Sequence, residues 1–292
     1  MANFTNYATL SYSGGTTNSN TVTGEILETI SAAKTAVFDQ YTANDDVTYV
    51  ISLVNSDAVG VDGLTVTDNL GGYPFGGEIV YPLACKEGSI RCYVNGVLQP
   101  APAATAGPPL LITGIHIPAG GNVTLIYEAE LTGYAPLAPG AEITNTASVT
   151  GAWMASPVTA QAAITPADRV ELTVSKAVSP AVVSPNGQLT YTFVIENTGN
   201  TGAAADENAV LTDTFNPILS GLAVSRDGMV WTPGAQYTYN ETTGVFSTLP
   251  GQITVPAATY TQGPDGIWIV TPGTTILTVT GSLAAAVEKT GC

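Results

Sequence analysis

Positive charge is scarce in this chain. Seven lysines and arginines stand against twenty-three aspartates and glutamates, a formal net charge of −16 at pH 7. A surface of that sign repels phosphate backbones and anionic lipid, which argues against nucleic acid or a membrane surface as partner. A single histidine all but removes His-based triads, His metal sites and imidazole proton shuttles. No phosphate loop, zinc spacing or nucleophile elbow is present. The expectation is a protein that is not an enzyme and carries no cofactor and no metal. No apolar run approaches the roughly 18–20 residues of a membrane span. The opening MANFTNYATL has no basic region followed by an apolar stretch, so it does not read as a secretory signal. Cysteine is scarce too, with three residues. Cys85 and Cys92 flank a Gly-Ser turn in a spacing that suits two arms of a hairpin, so a disulfide and a pair of free thiols are both open readings. Cys292 has no partner of its own and is suited to an intermolecular bond, though an inert thiol fits equally.

What is abundant is apolar and small. Hydrophobic residues make up 45% of 292, with 31 Gly and 19 Pro. That excludes a disordered chain and leaves room for one large or two ordinary domains. Segments of five to nine residues alternate apolar and polar, separated by PAGG (118–121), APG (138–140), SPNG (184–187) and TPG (271–273). Tyr49, Ile51 and Leu53 share one face, as do Tyr191, Phe193 and Ile195. No helical period persists for three turns.

The chain repeats itself. VTYVISLVN (47–55) corresponds to LTYTFVIEN (189–197), and LTVTDNL (64–70) to AVLTDTF (209–215). Lys34 and Tyr49 are 15 apart, as are Lys176 and Tyr191; the lysines stand 21 residues before Asn55 and Asn197. The prediction is all-β: two tandem immunoglobulin-like β-sandwich domains, residues 28–165 and 166–292, behind an N-terminal donor-strand extension, residues 1–27.

The string V-S-K-x-V-S-P, then L-T-Y-T-F-x-I-x-N-T-G-N, then L-T-D-T-F, resembles the bacterial conserved-repeat domain, a domain of unknown function. ITNTASVTG (143–151) is similar to that family's closing strand. The resemblance implies a β-sandwich repeat of bacterial surface proteins and no catalytic activity.

The two copies end differently. ITNTASVTG and PVTAQAAIT (157–165) close the first, and no such strand follows TPGTTILTVTGSLA (271–284) in the second. FTNYATLSY (4–12) matches the absent strand: Phe4, Asn6, Ala8 and Leu10 stand against Ile143, Asn145, Ala147 and Val149. An unpaired sheet edge templates any available strand. If the N-terminal strand of one copy completes the second domain of the next, the contact is heterologous and runs on into a filament. A strand folding back onto its own chain and a frayed arm are the alternatives.

Strand alternation also places charge on apolar faces. Lys34 is in phase with Ile30 and Ala32, Asp68 with Leu64 and Val66, and Asn145 with Ile143 and Ala147. Lys176 and Asp213 repeat the first two positions. Buried charges must be paired or neutralised, and a desolvated lysine loses its proton more readily. A neutral amine beside a carboxamide, with a carboxylic acid to relay protons, can condense to an amide and release ammonia. Lys34–Asp68–Asn145 resembles the isopeptide-forming triads of Gram-positive pilin and adhesin domains. For Lys176 and Asp213 the carboxamide would come from Asn6 of a neighbour, with Asn18 or Asn20 as second choice. A buried ion pair with ordinary hydrogen bonds is the alternative.

Asn44, Asp45 and Asp46, and likewise Asp206, Glu207 and Asn208, lack calcium-loop spacing and read as solvated turns. The functional expectation is a subunit of a self-assembling bacterial surface filament, a pilus or spore appendage, whose partners are copies of itself. The alternative is a stalk or adhesin module of a larger surface protein, with YTYNETTGVF (237–246) as its candidate binding patch.

Overall fold

A computed structural model describes residues 2–26 and 29–283. Among them every regular element is a strand, apart from one 3-10 turn at Ala205–Glu207. The chain divides into two compact units that change over between Pro166 and Ala167, with the short segments 137–139 and 264–267 grouping out of sequence order.

The N-terminal arm is a β-hairpin. Strand β1 (Ala2–Asn6) pairs antiparallel with β4 (Val22–Ile26), and β2 (Thr9–Tyr12) pairs with β3 (Gly15–Asn18). Ser19 carries the ladder across the irregularity between the two halves: its amide donates to the Ala8 carbonyl, and its Oγ accepts the Ala8 amide. These strands pair only with one another. Apolar residues alternate along β1 and β2 as in a half-buried strand, yet among the described residues they stay open to solvent: Phe4 is 51% exposed and Leu10 64%. The Phe4 ring lies over Gly24, where an added Cβ would stand 2.5 Å from it.

Repeat 1 comprises β5 (Ile30–Ala36), β6 (Gln40–Tyr41), β7 (Asp46–Asn55), β8 (Val61–Asp68), β9 (Tyr73–Phe75), β10 (Glu78–Val80), β11 (Leu83–Cys85), β12 (Arg91–Val94), β13 (Val97–Gln99), β14 (Ala103–Thr105), β15 (Leu110–Ile117), β16 (Asn122–Leu131), β17 (Ile143–Thr150) and β18 (Val158–Pro166). One sheet runs β13-β12-β16-β7-β5, and the other β14-β15-β8-β17-β18-β6. Inward residues of both sheets, among them Ile51, Leu53, Val66, Ile112 and Leu125, are fully buried. Each such side chain contributes about 1.5–3 kcal/mol of transfer free energy.

Repeat 2 comprises β19 (Leu172–Ser179), β20 (Gln188–Asn197), β21 (Thr212–Thr214), β22 (Leu219–Arg226), β23 (Met229–Trp231), β24 (Tyr237–Tyr239), β25 (Val245–Thr248), β26 (Thr259–Gln262), β27 (Trp268–Thr271) and β28 (Gly273–Leu283). Its first sheet, β23-β22-β28-β20-β19, follows the five-strand order of repeat 1, without a counterpart among the described residues of β11, which pairs with β16 there. Its second is only β21-β25-β24. In repeat 1 the hairpin β17–β18 pairs with β8 through Ala147↔Asp68 and Val149↔Val66. Among the described residues no strand takes that place beside β21. The consequence reaches the other sheet: β5 alternates buried and exposed, whereas β19 is exposed along its length.

The recurring asparagine is a loop staple. Asn55 Nδ2 donates to the carbonyls of Val59 and Pro118, and its Oδ1 accepts the Asp57 amide. Asn197 does the same with Thr201, Pro256 and the Gly199 amide, and also accepts from Glu171.

The hairpin expected around Cys85 and Cys92 is not formed. Both strands pair with β16, Cys85 opposite Ala129 and Cys92 opposite Leu125. Four residues along one strand is roughly 13 Å, beyond the reach of a disulfide. Ser89 Oγ accepts the Glu128 amide and Lys86 donates to the Glu128 carbonyl, so the turn is held against β16 and does not fold back. Both cysteines are free and buried, and burial raises their thiols. Cys292 lies outside the described residues.

Replacing Asn197 with Ala leaves several buried loop groups without partners. The expected outcome is a loss of about 2–3 kcal/mol from repeat 2, read as a lowered denaturant midpoint at unchanged slope.

Candidate functional site

Lys34 ends the buried face of β5, Asp68 ends that of β8, and Asn145 lies on the buried face of β17. Sandwich packing brings the three together. Lys34 Nζ donates to Asp68 Oδ2 at 2.6 Å, with both side chains 0% exposed. The same oxygen accepts the Tyr127 hydroxyl at 2.7 Å, and Asp68 Oδ1 accepts the Leu70 amide. Asn145 Nδ2 donates to the Tyr127 hydroxyl oxygen at 2.9 Å. A relay therefore runs from carboxamide through phenol and carboxylate to amine.

Two polar atoms in this cluster have no hydrogen-bond partner: Asn145 Oδ1 and the Tyr49 hydroxyl. Lys34 Nζ stands over the Tyr49 ring, 4.7 Å from its centroid. Burial brings Lys34 down to about 8, although neighbouring Asp68 opposes that shift. Burial also drives Tyr49 and Tyr127 well above the usual phenol range, so both stay protonated. The cluster thus contains a lysine whose neutral form is accessible near neutral pH, a carboxylate, and a carboxamide with an unused carbonyl oxygen.

Repeat 2 carries the same pair in a different setting. Lys176 Nζ donates to Asp213 Oδ2, and the amine stands over Tyr191 at 4.4 Å from the ring centroid. Here the side chains are 39% and 17% exposed. Tyr191 occupies the position of Tyr49. Tyr127, which pairs with Tyr49, is replaced by Val279, which pairs with Tyr191. Ring volume is restored by Phe215, stacked on Tyr191 at 4.9 Å, without a hydroxyl. Beside the pair runs an open apolar groove of about 160 Å³, lined by Leu172, Val174, Ile195, Ala209, Leu211 and Ile253 among others.

Asn6 lies on β1 of the arm, paired with Val22. Asn18 pairs with Thr9 within the arm. The aromatics of 237–246 point inward: Tyr237 and Phe246 belong to the core of repeat 2, so this stretch presents no aromatic patch. Asp46 pairs with Lys86, and Asp45 caps the Thr42 amide. Among the described residues no three metal-ligating side chains gather. His116 is half-exposed and paired with Asp62. Sequence reasoning missed Tyr127 and the place of the Tyr49 hydroxyl in the cluster; the fixed Lys-to-Tyr spacing was the available signal for the second.

No family model matches this chain, and no curated protein matches it. Among solved structures it is similar to BcpA, the major pilin subunit of Bacillus cereus, at 13% identity, 93% of this chain, 73% of that one and a TM-score of 0.36. A C-terminal fragment of the major pilin GBS80 of Streptococcus agalactiae matches at 12% identity, 84% and 91% coverage and 0.34. The collagen-binding domain of a Staphylococcus aureus adhesin matches at 8% identity, 47% and 99% coverage and 0.30. At such TM-scores the assignment of function rests on the site itself.

The two pairs differ in what removal of the carboxylate should cost. Asp68→Ala strands a buried ammonium and is expected to lose about 3–5 kcal/mol. Asp213→Ala in the free subunit is expected to lose less than about 1 kcal/mol. Chemical denaturation of the isolated subunit, followed separately in each repeat, reads both.

Proposed function

We propose that this chain is a structural subunit of a bacterial surface fibre, a pilus or spore appendage, that polymerises head to tail. The N-terminal arm of one copy completes repeat 2 of the next. The observation that carries this reading is the contrast between two equivalent ion pairs. Under β17–β18 the Lys34–Asp68 side chains are 0% exposed, whereas Lys176–Asp213, with no such hairpin among the described residues, is open to water. The arm offers an uncovered hairpin with matching residues. Arm and acceptor are different segments of the chain, so a contact in which each copy gives its arm to the next is heterologous and propagates. The alternative, a non-polymerising stalk or adhesin module, has lost its candidate patch at 237–246.

Deleting residues 1–24 is expected to leave soluble monomers with a weakened repeat 2. A peptide of residues 3–24 is expected to restabilise that repeat. Electron microscopy reads assembly and denaturation reads stability; normal fibres from the deletion variant would sink the proposal, and a concentration-independent rescue within one chain would favour fold-back.

The closed sites are also set for covalent locking. The neutral lysine Nζ attacks Asn Cγ, the bond from Cγ to the carboxamide nitrogen breaks, and the amine proton passes through the aspartate to the departing ammonia. Tyr49 Oη and Asn145 Oδ1 are both without a hydrogen-bond partner in the resting cluster, and on this reading the hydroxyl turns to donate to charge developing on that oxygen. In repeat 1 the link is Lys34–Asn145; between copies it is Lys176–Asn6. Because burial holds Lys34 at about 8, the neutral fraction rises steeply from about pH 7 to about pH 9. Unreacted chain folded across that range is expected to lose ammonia faster at the higher pH, and Tyr49→Phe to slow it. Intact mass reads the repeat 1 link, and a ladder surviving boiling in detergent with reductant reads the link between copies. Full mass at every pH would remove the chemistry and leave strand donation as a non-covalent contact.

A further inference from the structure

The strand-donation reading leaves open what enters repeat 2 and in which register, and on that reading the structure carries a specific answer. We propose that the whole hairpin of residues 2–26 seats between β21 and β19 of a second copy, with Ala8 opposite Asp213, Leu10 in the apolar groove and Asn6 facing the Lys176–Asp213 pair.

The register follows from two ladders. In the closing hairpin of repeat 1, Ile143 pairs with Ile164 and Asn145 with Ala162. In the arm, Phe4 pairs with Gly24 and Asn6 with Val22. Setting Asn6 on Asn145 lays these pairs over one another, so β1 and β4 of the arm correspond to both strands of the closing hairpin. Beyond the irregularity at Ser19 the second strand of the arm carries one extra residue: Thr9 pairs with Asn18, one place off Ser148 with Thr159. Ala147 faces Asp68 and Val149 faces Val66 in repeat 1. The same offset in repeat 2 sets Ala8 against Asp213, Thr9 against Thr212 and Leu10 against Leu211. Leu211 lines the open groove together with Leu172 and Val174. Leu10, 64% exposed in the free arm, meets there the residues that repeat 2 leaves uncovered.

Chemistry agrees with the geometry. Residues 2–26 contain one charged side chain, Glu25, so the hairpin enters an apolar seam with little charge to desolvate. A slip of one residue would turn Phe4, Asn6, Ala8 and Leu10 to solvent. A slip of two would take Asn6 away from the ion pair and Leu10 away from its groove. The arm arrives already paired, and among the described residues no strand occupies the far edge of β21, so none of these has to leave.

Engineered cysteines test the register in assembled fibre. With Cys292→Ser and Lys176→Arg as background, the second removing the amine of the covalent link between copies, Thr9→Cys combined with Thr212→Cys is expected to give an inter-subunit disulfide ladder under mild oxidation. Thr9→Cys with Thr214→Cys, the two-residue slip, is expected to stay monomeric on the same gel. The reverse pattern would overturn the register while leaving donation intact. Two further variants are independent of thiol geometry and sit on residues exposed in the free arm. Leu10→Asp is expected to slow assembly more than about a hundredfold, and Ser11→Asp, on the opposite face, to leave it unchanged. Equal effects of the two would also overturn the register. A peptide of residues 2–26 is expected to rescue the 1–24 deletion where one of residues 2–12 does not; equal rescue would refute hairpin entry in favour of a single strand. Fibres formed by the deletion variant alone would instead remove the underlying reading.

Discussion

A lysine and an aspartate on the inner faces of opposing sheets can be kept from water only if something covers them, and that requirement organises this molecule. In repeat 1 the cover is β17–β18. The hairpin extends the second sheet past β8 and carries Ala147 and Val149 over the inner ends of the sandwich. With it in place the carboxylate accepts three hydrogen bonds, from Lys34, Tyr127 and Leu70, which holds charge in an apolar core at tolerable cost.

Repeat 2 keeps the pair and the first sheet but has no such cover among its described strands. Leaving an apolar groove and a bare strand edge on a folded subunit invites association. The arm is the complementary object: a hairpin with alternating apolar residues and no sandwich of its own. A charge pair that is merely tolerated in water becomes a well-placed partner for a carboxamide once the water is displaced. In the proposed assembly the feature that leaves repeat 2 incomplete is the same one that selects its partner.

Much of this could be read from residue phase. Lys34, Asp68 and Asn145 each sit in step with apolar neighbours on their own strand, and period-2 alternation alone turns such residues inward. The match of residues 4–12 to 143–151 is likewise a one-dimensional signal. What sequence spacing could not supply was register between strands distant in the chain. Tyr127 enters the cluster only because β16 pairs with β7 so that Tyr127 meets Tyr49. Cys85 and Cys92 look like hairpin partners because they are close in sequence, whereas β16 accepts both strands end to end. The aromatics of 237–246 looked like a surface patch because nothing local reveals that Phe246 packs inward against Phe215 of the neighbouring segment.

The exchange of Tyr127 for Val279 makes the two sites chemically unequal despite their shared lysine, aspartate and tyrosine. In repeat 1 a phenol oxygen accepts from the carboxamide nitrogen and its proton binds the carboxylate, so the amide is held through its nitrogen while its oxygen stays unpaired. In repeat 2 the corresponding position is a valine, and Phe215 fills the space with a ring that can neither donate nor accept. A carboxamide arriving there finds no phenol at the Tyr127 position to hold its amide. Its polar partners at that place are the lysine, the aspartate and the Tyr191 hydroxyl, if its own strand does not satisfy it first. Desolvation makes an unsatisfied amide costly, so in the proposed assembly the site that joins two copies binds its carboxamide through the groups that would react with it.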